Sequence, residues 1–176
     1  DGEAVTVSNR IDWAVEYFRT HGQKARAERL AVQAASTGSG AGLATHGKFL
    51  ERIGRTEAAY DRFVRISERY DNPLELLAFI GRHPDVPRYQ NVKQDLVAAT
   101  FPNGLRRVAL PDLASERASG AEVTTRPAQA EFAGLEVGDV IGATDGIRVT
   151  TLKEFRVARS LSDAQEATIL VWRQGK

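Results

Sequence analysis

Three histidines, His21, His46 and His83, are the side chains best suited by type to acid–base or metal chemistry. None of them has a second ligand three or four residues away, the spacing that places two side chains on one helix face. The pattern therefore predicts no metal site. We expect His46 to be packed beside a helical core, and His83-Pro84-Asp85 to end a helix and begin a turn.

Nucleophilic chemistry finds equally little support. The sequence contains no cysteine, which excludes thiol catalysis, thiolate metal sites and disulfide bonds. Gly38-Ser39-Gly40 lacks the preceding strand that a nucleophile elbow needs, and Asp139, after Gly138 in a turn, is expected to cap backbone amides. We therefore predict that the chain is not an enzyme and uses no cofactor, with any catalytic domain lying in a longer parent protein.

The charge pattern also restricts the partners. Net charge is +1 with 27% charged residues, so the sequence predicts no clustered basic face for nucleic acid. No apolar run approaches the ~20 residues of a membrane-spanning helix. Arginines recur at helical intervals between Arg52 and Arg69 among acidic residues, which predicts a solvated, salt-bridged face. The abrupt start at Asp1 and end at Lys176 indicate a fragment of a longer protein.

The elements that would position any site change in character near residue 103. Up to residue 102, apolar side chains follow the 3.6-residue helical period, as at Ile11, Val15 and Phe18. Gly22 and Gly54 punctuate two such stretches, and each is followed by small or apolar residues at offsets of five and twelve. Two helical hairpins about 32 residues apart fit a helical solenoid. A generic helical bundle is the alternative.

Large and small residues stand at fixed intervals in the second hairpin. They are Leu43, Gly47, Leu50, Gly54, Ala59 and Phe63. This spacing resembles a tetratricopeptide repeat, in which small residues such as Gly47 and Ala59 let two helices approach while large ones fill the space between them. Ile66, where a small residue is usual, and Pro73, two places late, depart from the pattern.

Two further elements complete the helical region. A third helical pair is predicted at roughly Pro73–Arg82 and Arg88–Thr100, because Asp71-Asn72 can cap a helix that has proline at its first position. Ser36–Gly42 is predicted to be a flexible loop between repeats. Residues 1–102 are therefore expected to form an all-α domain of helical-hairpin repeats.

The apolar period switches towards two after Gly104, which predicts short strands. The candidate strands are Leu105–Leu110, Glu122–Thr125, Asp139–Ala143, Ile147–Val149 and Ala167–Arg173. Asp145-Gly146 predicts a hairpin turn, and Thr151 with Glu154 predicts a capping box at the start of a helix. Gly134 is expected to end a further helix over residues 128–133. Residues 103–176 should thus form a small α+β domain, and the whole chain a multi-domain protein.

Four features of residues 104–176 follow one another in a characteristic order. They are the Ala133-Gly134-Leu135-x-x-Gly138-Asp139-Val140-Ile141 block, the Asp145-Gly146 turn, the helix start Thr151-Leu152-x-x-Phe155, and the strand end Val171-Trp172-Arg173-x-Gly175-Lys176. In order and spacing they resemble a PDZ domain of the bacterial type. Bacterial members commonly continue past the Gly-Lys turn into one further strand, so the domain over 103–176 would lack its last strand.

The resemblance implies a groove in which an extended peptide, commonly a C-terminus, is added as a strand beside a sheet edge. Its walls would be the strand near Arg107–Leu110 and the helix Leu152–Ser160, with backbone amides of the preceding loop holding the peptide carboxylate. Arg106-Arg107-Val108 stands where the family usually has glycine, and a guanidinium could hold the carboxylate there. The peptide-binding residues implied by position are Leu105, Arg106, Arg107, Val108, Leu110, Leu152, Phe155 and Arg159.

The sequence therefore predicts a non-enzymatic protein–protein interaction module that binds an extended or C-terminal segment of a polypeptide, with the helical region as scaffold. One alternative is a regulatory or substrate-tethering fragment of a larger bacterial protease, because bacterial PDZ-like domains often belong to proteases. A second alternative is a structural domain pair with a degenerate groove, which contact between the groove helix and residues 1–100 would favour. The bacterial periplasm or cell envelope is favoured over the cytoplasm.

Overall fold

A computed structural model describes residues 2–109, 119–124, 134–162 and 166–173. The chain divides into two compact units between Val86 and Pro87. In the described residues, the first unit holds five helices, and the second holds two helices and a four-stranded antiparallel sheet. A helical region followed by a small α+β unit is thus confirmed in outline. The division precedes the domain boundary predicted at 102/103, and it places the helix after Pro87 in the second unit.

The helices of the first unit follow one another through short loops. They are α1 Gly2–Thr20, α2 Lys24–Ser36, α3 Gly40–Arg52, α4 Thr56–Tyr70 and α5 Leu74–Arg82. Successive helices pack together, and α1 also packs against α3. The flexible loop predicted at 36–42 is wrong, because the Ser39 hydroxyl accepts a hydrogen bond from the Gly42 amide at 3.0 Å and caps a helix that begins at Gly40.

Two helix ends in this unit have the same turn geometry 32 residues apart. Gly22 after α1 and Gly54 after α3 have positive φ angles of 77° and 79°. In each turn the next amide, of Gln23 or Arg55, donates to the carbonyl five residues earlier, at 2.8 and 2.9 Å. The two hairpins therefore share this turn geometry at the spacing of the two glycines, and a repeat of the whole hairpin stays a prediction.

Small residues bring neighbouring helices close together. A Cβ atom on Gly47 of α3 would lie 2.8 Å from the ring of Phe63 on α4, so a larger residue at this position would force that ring to move. Phe63 is fully buried, as the predicted filling of this space requires. Gly42, which the sequence did not single out, would place a Cβ atom against the carbonyl oxygen of Ala34. The close approach of α3 to α2 and α4 thus depends on glycine, which has no Cβ atom, at positions 42 and 47.

The predicted salt-bridged face of the first unit exists, but its ion pairs join different helices. Arg52 on α3 pairs with Glu16 on α1, and Arg55 pairs with Glu28 on α2. Because all four side chains are substantially exposed, these contacts contribute little to stability.

The second unit is built around one central strand. Its elements are α6 Pro87–Thr100, β1 Ala121–Glu122, β2 Val140–Thr144, β3 Ile147–Arg148, α7 Leu152–Ser160 and β4 Ile169–Trp172. β2 pairs antiparallel with β4 along one side, and with β1 and then β3 along the other. Helix α7 packs against β2, and α6 packs against α7.

Local signals predicted the second unit's hairpin and helix start correctly. Asp145 and Gly146 both have positive φ, 49° and 75°, and connect β2 to β3. The Thr151 hydroxyl accepts from the Glu154 amide at 3.1 Å, and the Glu154 carboxylate accepts from the Thr151 amide, which completes the capping box. The helix expected before Gly134 lies outside the described residues.

Candidate functional site

Residues 106–109 form the outer edge of the sheet beside β3. Arg107 bridges Ile147, the Val108 amide donates to the Gly146 carbonyl at 2.9 Å, and the Arg148 amide donates to the Arg106 carbonyl at 2.8 Å. Backbone groups of successive strand residues point to opposite sides. The amide and carbonyl of Arg107 therefore point away from β3, and neither forms a backbone hydrogen bond within the described residues. This is an unpaired strand edge.

The predicted binding residues of this edge have different environments. Leu105 is 45% exposed, the Arg106 and Arg107 side chains are exposed, and Val108 is half-buried. Leu110 lies outside the described residues. Of the strand predicted at Leu105–Leu110, the structure describes residues 105–109, which pair with β3 through one isolated bridge at Arg107. The exposed side chains and the unpaired backbone of Arg107 lie together at the same edge.

Helix α7 presents two of the predicted pocket residues in opposite ways. Leu152, in its first turn, is 41% exposed, whereas Phe155 is 3% exposed and belongs to the core. Val157 and Ala158 are also buried, so this side of the helix rests on the sheet. Arg159 is half-buried. Leu152 is thus accessible to a ligand in this conformation, and Phe155 acts as core.

A cavity of about 660 Å³ opens in the second unit at the point where the edge segment begins. It is lined by residues of α6, by residues of the loop after α6 and by Leu161 after α7. The lining residues are Gln90, Lys93, Gln94, Val97, Ala98, Phe101, Pro102, Gly104, Leu105 and Leu161. Of the residues predicted for the site, only Leu105 lies here. Gln90, Lys93 and Val97 are spaced to lie on one face of a helix. This spacing resembles no ligand-binding motif, so the sequence did not indicate the cavity.

A buried arginine hydrogen-bonds to several groups next to the strand that pairs with the edge. Arg148, on the strand that pairs with the edge, is only 6% exposed. Its guanidinium donates to the carbonyls of Gly142 at 2.6 Å and Val149 at 3.2 Å, and to the Ser119 hydroxyl at 2.8 Å. The guanidinium also lies 5.5 Å from the centre of the Trp172 ring. The sequence did not point to Arg148, because a strand of two residues has no readable alternation.

His46 is buried and His83 ends a helix, as the sequence predicted for these two histidines. His46 is 8% exposed, and its Nδ1 atom has no hydrogen-bond partner in the described structure. Burial lowers the pKa of His46 below 6.5, the charges of Arg62 and Arg55 lower it further, and Glu28 opposes them. His83 ends α5, as predicted. Among the described residues, no three His, Asp or Glu side chains are grouped closely enough to hold a metal ion.

No protein-family model, curated protein or solved structure significantly matches this chain. The likenesses of the two units to tetratricopeptide repeats and to PDZ domains therefore stay predictions. In the described part of the chain, no helix has both the length and the apolar character that crossing a bilayer requires.

Proposed function

We propose that this chain is a non-enzymatic interaction module whose second, PDZ-like unit binds an extended polypeptide segment by strand addition. The observation that carries the proposal is the unpaired backbone of Arg107 at the outer edge of the sheet. An added strand would satisfy this amide and carbonyl with main-chain hydrogen bonds, while exposed neighbours such as Leu105 and Leu152 would contact its side chains.

We further propose that the first unit is a tetratricopeptide-like scaffold. Three observations support this: the 32-residue register of the Gly22 and Gly54 turns, the packing of α1 against α3 as well as α2, and the close approach at Gly47. Such repeats pack each hairpin on the next and leave a surface for partners. This unit would hold the peptide-binding unit within a larger assembly or chain.

One observation favours the structural alternative, in which the groove is filled from within. Helix α6, which precedes the PDZ-like residues, packs against α7, the expected wall of the groove. If α6 occupied the binding surface, the domain would be a degenerate one and would bind no peptide. The test of strand addition therefore also decides between these two functions.

The test is a fluorescence anisotropy titration of the full chain with a pool of fluorescein-labelled decapeptides with free C-termini. Ala109→Pro removes an amide that alternation directs to the open edge, whereas Ala109→Val keeps that amide and serves as the matched control. We expect the valine variant to bind as the wild type does, and the proline variant to bind at least about tenfold more weakly. Circular dichroism would verify that both variants are folded.

Two results would contradict strand addition. One is the absence of binding to the wild-type chain at high micromolar concentration, which would support the structural alternative. The other is equal binding by the folded proline and valine variants, which would place the ligand away from this edge.

A further inference from the structure

A row of exposed aromatic rings follows one side of α1. Trp13 and Tyr17 are 70% and 42% exposed, and His21, about one turn further on, is also exposed. The three rings stack in order, with centroid distances of 5.5 Å from Trp13 to Tyr17 and 4.1 Å from Tyr17 to His21. Single exposed apolar side chains are ordinary on a protein surface, whereas a contiguous apolar patch marks an interaction surface.

The equivalent side of α3 is buried against two other helices. Counted back from the matching glycine turns that follow α1 and α3, Trp13 corresponds to Thr45 and Tyr17 to Phe49. Thr45 and Phe49 are only 3% and 2% exposed. Phe49 belongs to a core cluster with buried side chains of α1 and α2, which are Val15, Ala27 and Ala31. The exposed side of α1 is therefore the side that, in α3, packs against neighbouring helices.

The charges on and around this side of α1 do not oppose a contact between two copies of the chain. Glu16, which lies between the two exposed aromatic residues in the sequence, pairs with Arg19 at 2.7 Å and with Arg52 of α3. Its carboxylate therefore keeps its partners when a surface covers the row. The net charge of the whole chain is +1, so two copies repel each other only weakly.

A second copy of the chain supplies a matching surface. In the part of the first unit that the structure describes, α1 is the one helix that exposes two large apolar side chains on one face. The other large apolar residues exposed in that unit stand singly; they are Val32, Ile53 and Tyr70. An isologous contact brings the same patch of both copies together, so a unit with one such patch can cover it by pairing with itself.

We propose that two copies of this chain associate through the face of α1 that carries Trp13, Tyr17 and His21, with the two helices antiparallel about a two-fold axis near Tyr17. Trp13 of each copy then meets His21 of the other, and opposite ends of the helix dipoles lie side by side. A few side chains per copy bury much less than the ~800 Å² per partner of a stable complex, so we expect weak association, with a Kd of about 100 µM.

This self-association is independent of strand addition at the sheet edge. It uses the first unit, whereas the Arg107 edge belongs to the second unit. Where both occur, a dimer carries two peptide-binding edges and binds a partner with two suitable segments more tightly than a monomer does.

The test is sedimentation velocity of the full chain from about 5 µM to about 1 mM, a range that spans the expected Kd. Trp13→Gln and Tyr17→Gln each remove one ring from the face, and Val32→Gln removes a 49% exposed apolar side chain from α2 as the matched control. We expect the wild type and Val32→Gln to dimerise alike, and each aromatic variant to dimerise at least about tenfold more weakly. Circular dichroism would verify that all variants are folded.

Tryptophan emission reports on the contact itself. The chain has two tryptophans, Trp13 and Trp172, and dimerisation would remove the exposed Trp13 indole from water. The emission of the wild type should therefore move to shorter wavelength as the concentration rises. Trp13→Gln keeps only Trp172 and should show no such shift.

Three results would contradict the proposed contact. One is a wild-type chain that remains monomeric at about 1 mM, ten times the expected Kd. Another is a dimer that Trp13→Gln and Tyr17→Gln leave unchanged. The third is a dimer that Ala109→Pro abolishes, which would place the contact at the sheet edge, with each copy adding a strand to the other. Because Ala109→Pro should leave the α1 contact intact while weakening peptide binding, this inference and strand addition can fail separately.

Discussion

Arg173 and Asp139 form a bidentate ion pair that joins the end of β4 to the start of β2. The Arg173 Nε atom donates to one Asp139 oxygen at 2.8 Å, and Nη2 donates to the other at 2.8 Å. Asp139 is 1% exposed, and it also accepts from the Glu136 amide at 2.7 Å, which confirms its predicted role in capping backbone. The pair thus connects the turn at Gly138 with the register of the central strands.

This pair predicts acid sensitivity of the second unit. Hydrogen bonds from Arg173 lower the pKa of Asp139 below 3.8; burial opposes the shift and the Glu136 amide reinforces it. Because the carboxyl pKa is depressed on folding, its stabilisation is present above about pH 4 and is lost as pH falls through the folded pKa. Urea unfolding midpoints of Arg173→Gln should be lower at neutral pH and should fall less on acidification. Arg156→Gln, a change at an exposed arginine, should follow the wild type. If the stability of the wild type and of both variants fell in parallel on acidification, the acid sensitivity would not come from the Arg173–Asp139 pair.

His46 predicts a second pH dependence, of the first unit and at milder acidity. Its pKa is depressed by burial and by Arg62 and Arg55, against the opposing effect of Glu28, so protonation favours the unfolded chain. Stability should decrease as pH falls below about 6.5 towards the folded pKa, and level off below it. His46→Leu should abolish this decrease, whereas His21→Gln should retain it. Thermal melts across this interval measure the effect, and an unchanged decrease in His46→Leu would assign it elsewhere.

Gly47 and Gly81 predict opposite effects of the same substitution. A methyl group at Gly47 would meet the buried Phe63 ring, whereas one at Gly81, in α5, would meet nothing within 4 Å. We expect Gly47→Ala to lower the free energy of unfolding by about 1–3 kcal/mol through overpacking. Gly81→Ala should raise it by about 0.5–1 kcal/mol through helix propensity. Chemical denaturation measures both; equal effects would mean that α3 and α4 can separate without cost.

We expect the buried Arg148 guanidinium to be irreplaceable both by an uncharged side chain of similar length and by a lysine. Arg148→Met would leave the carbonyls of Val149 and Ser119 without these donors, at about 1–3 kcal/mol for each unsatisfied group, whereas the Gly142 carbonyl keeps the Val149 amide as a donor at 3.0 Å. Arg148→Lys should have an intermediate effect, because an ammonium group cannot reproduce the planar fork. Arg156→Met is the exposed control. A methionine variant as stable as this control would show that water satisfies the carbonyls.

The sequence predicted elements that depend on neighbours in the chain. The helix breaks at Gly22 and Gly54, the Asp145-Gly146 turn and the Thr151 capping box each need only a few adjacent residues, and each is present in the structure. Predictions that depend on distant contacts were less complete. The partners of Arg52 and Arg55 lie on other helices, and the loop expected at residues 36–42 is mostly helical because Ser39 caps it.

The candidate site divides in the same way. Leu105 and Arg107 could be named from the sequence, since the resemblance placed a strand there and their exposure agrees with an edge. The cavity beside α6 could not be named, because Leu105 and Leu161, which both line it, are far apart in the chain.

By itself, the sequence determined that the chain changes from a helical region to a small α+β unit, because helix caps, glycine turns and apolar periodicity act over a few residues. Only the tertiary structure decided that Gly42 must approach Ala34, that Arg148 is buried, and that α6 belongs to the second unit. These properties depend on which distant surfaces exclude water together, and such pairings are not encoded in any local pattern. The unpaired edge at Arg107 and the cavity beside α6 arise from that packing.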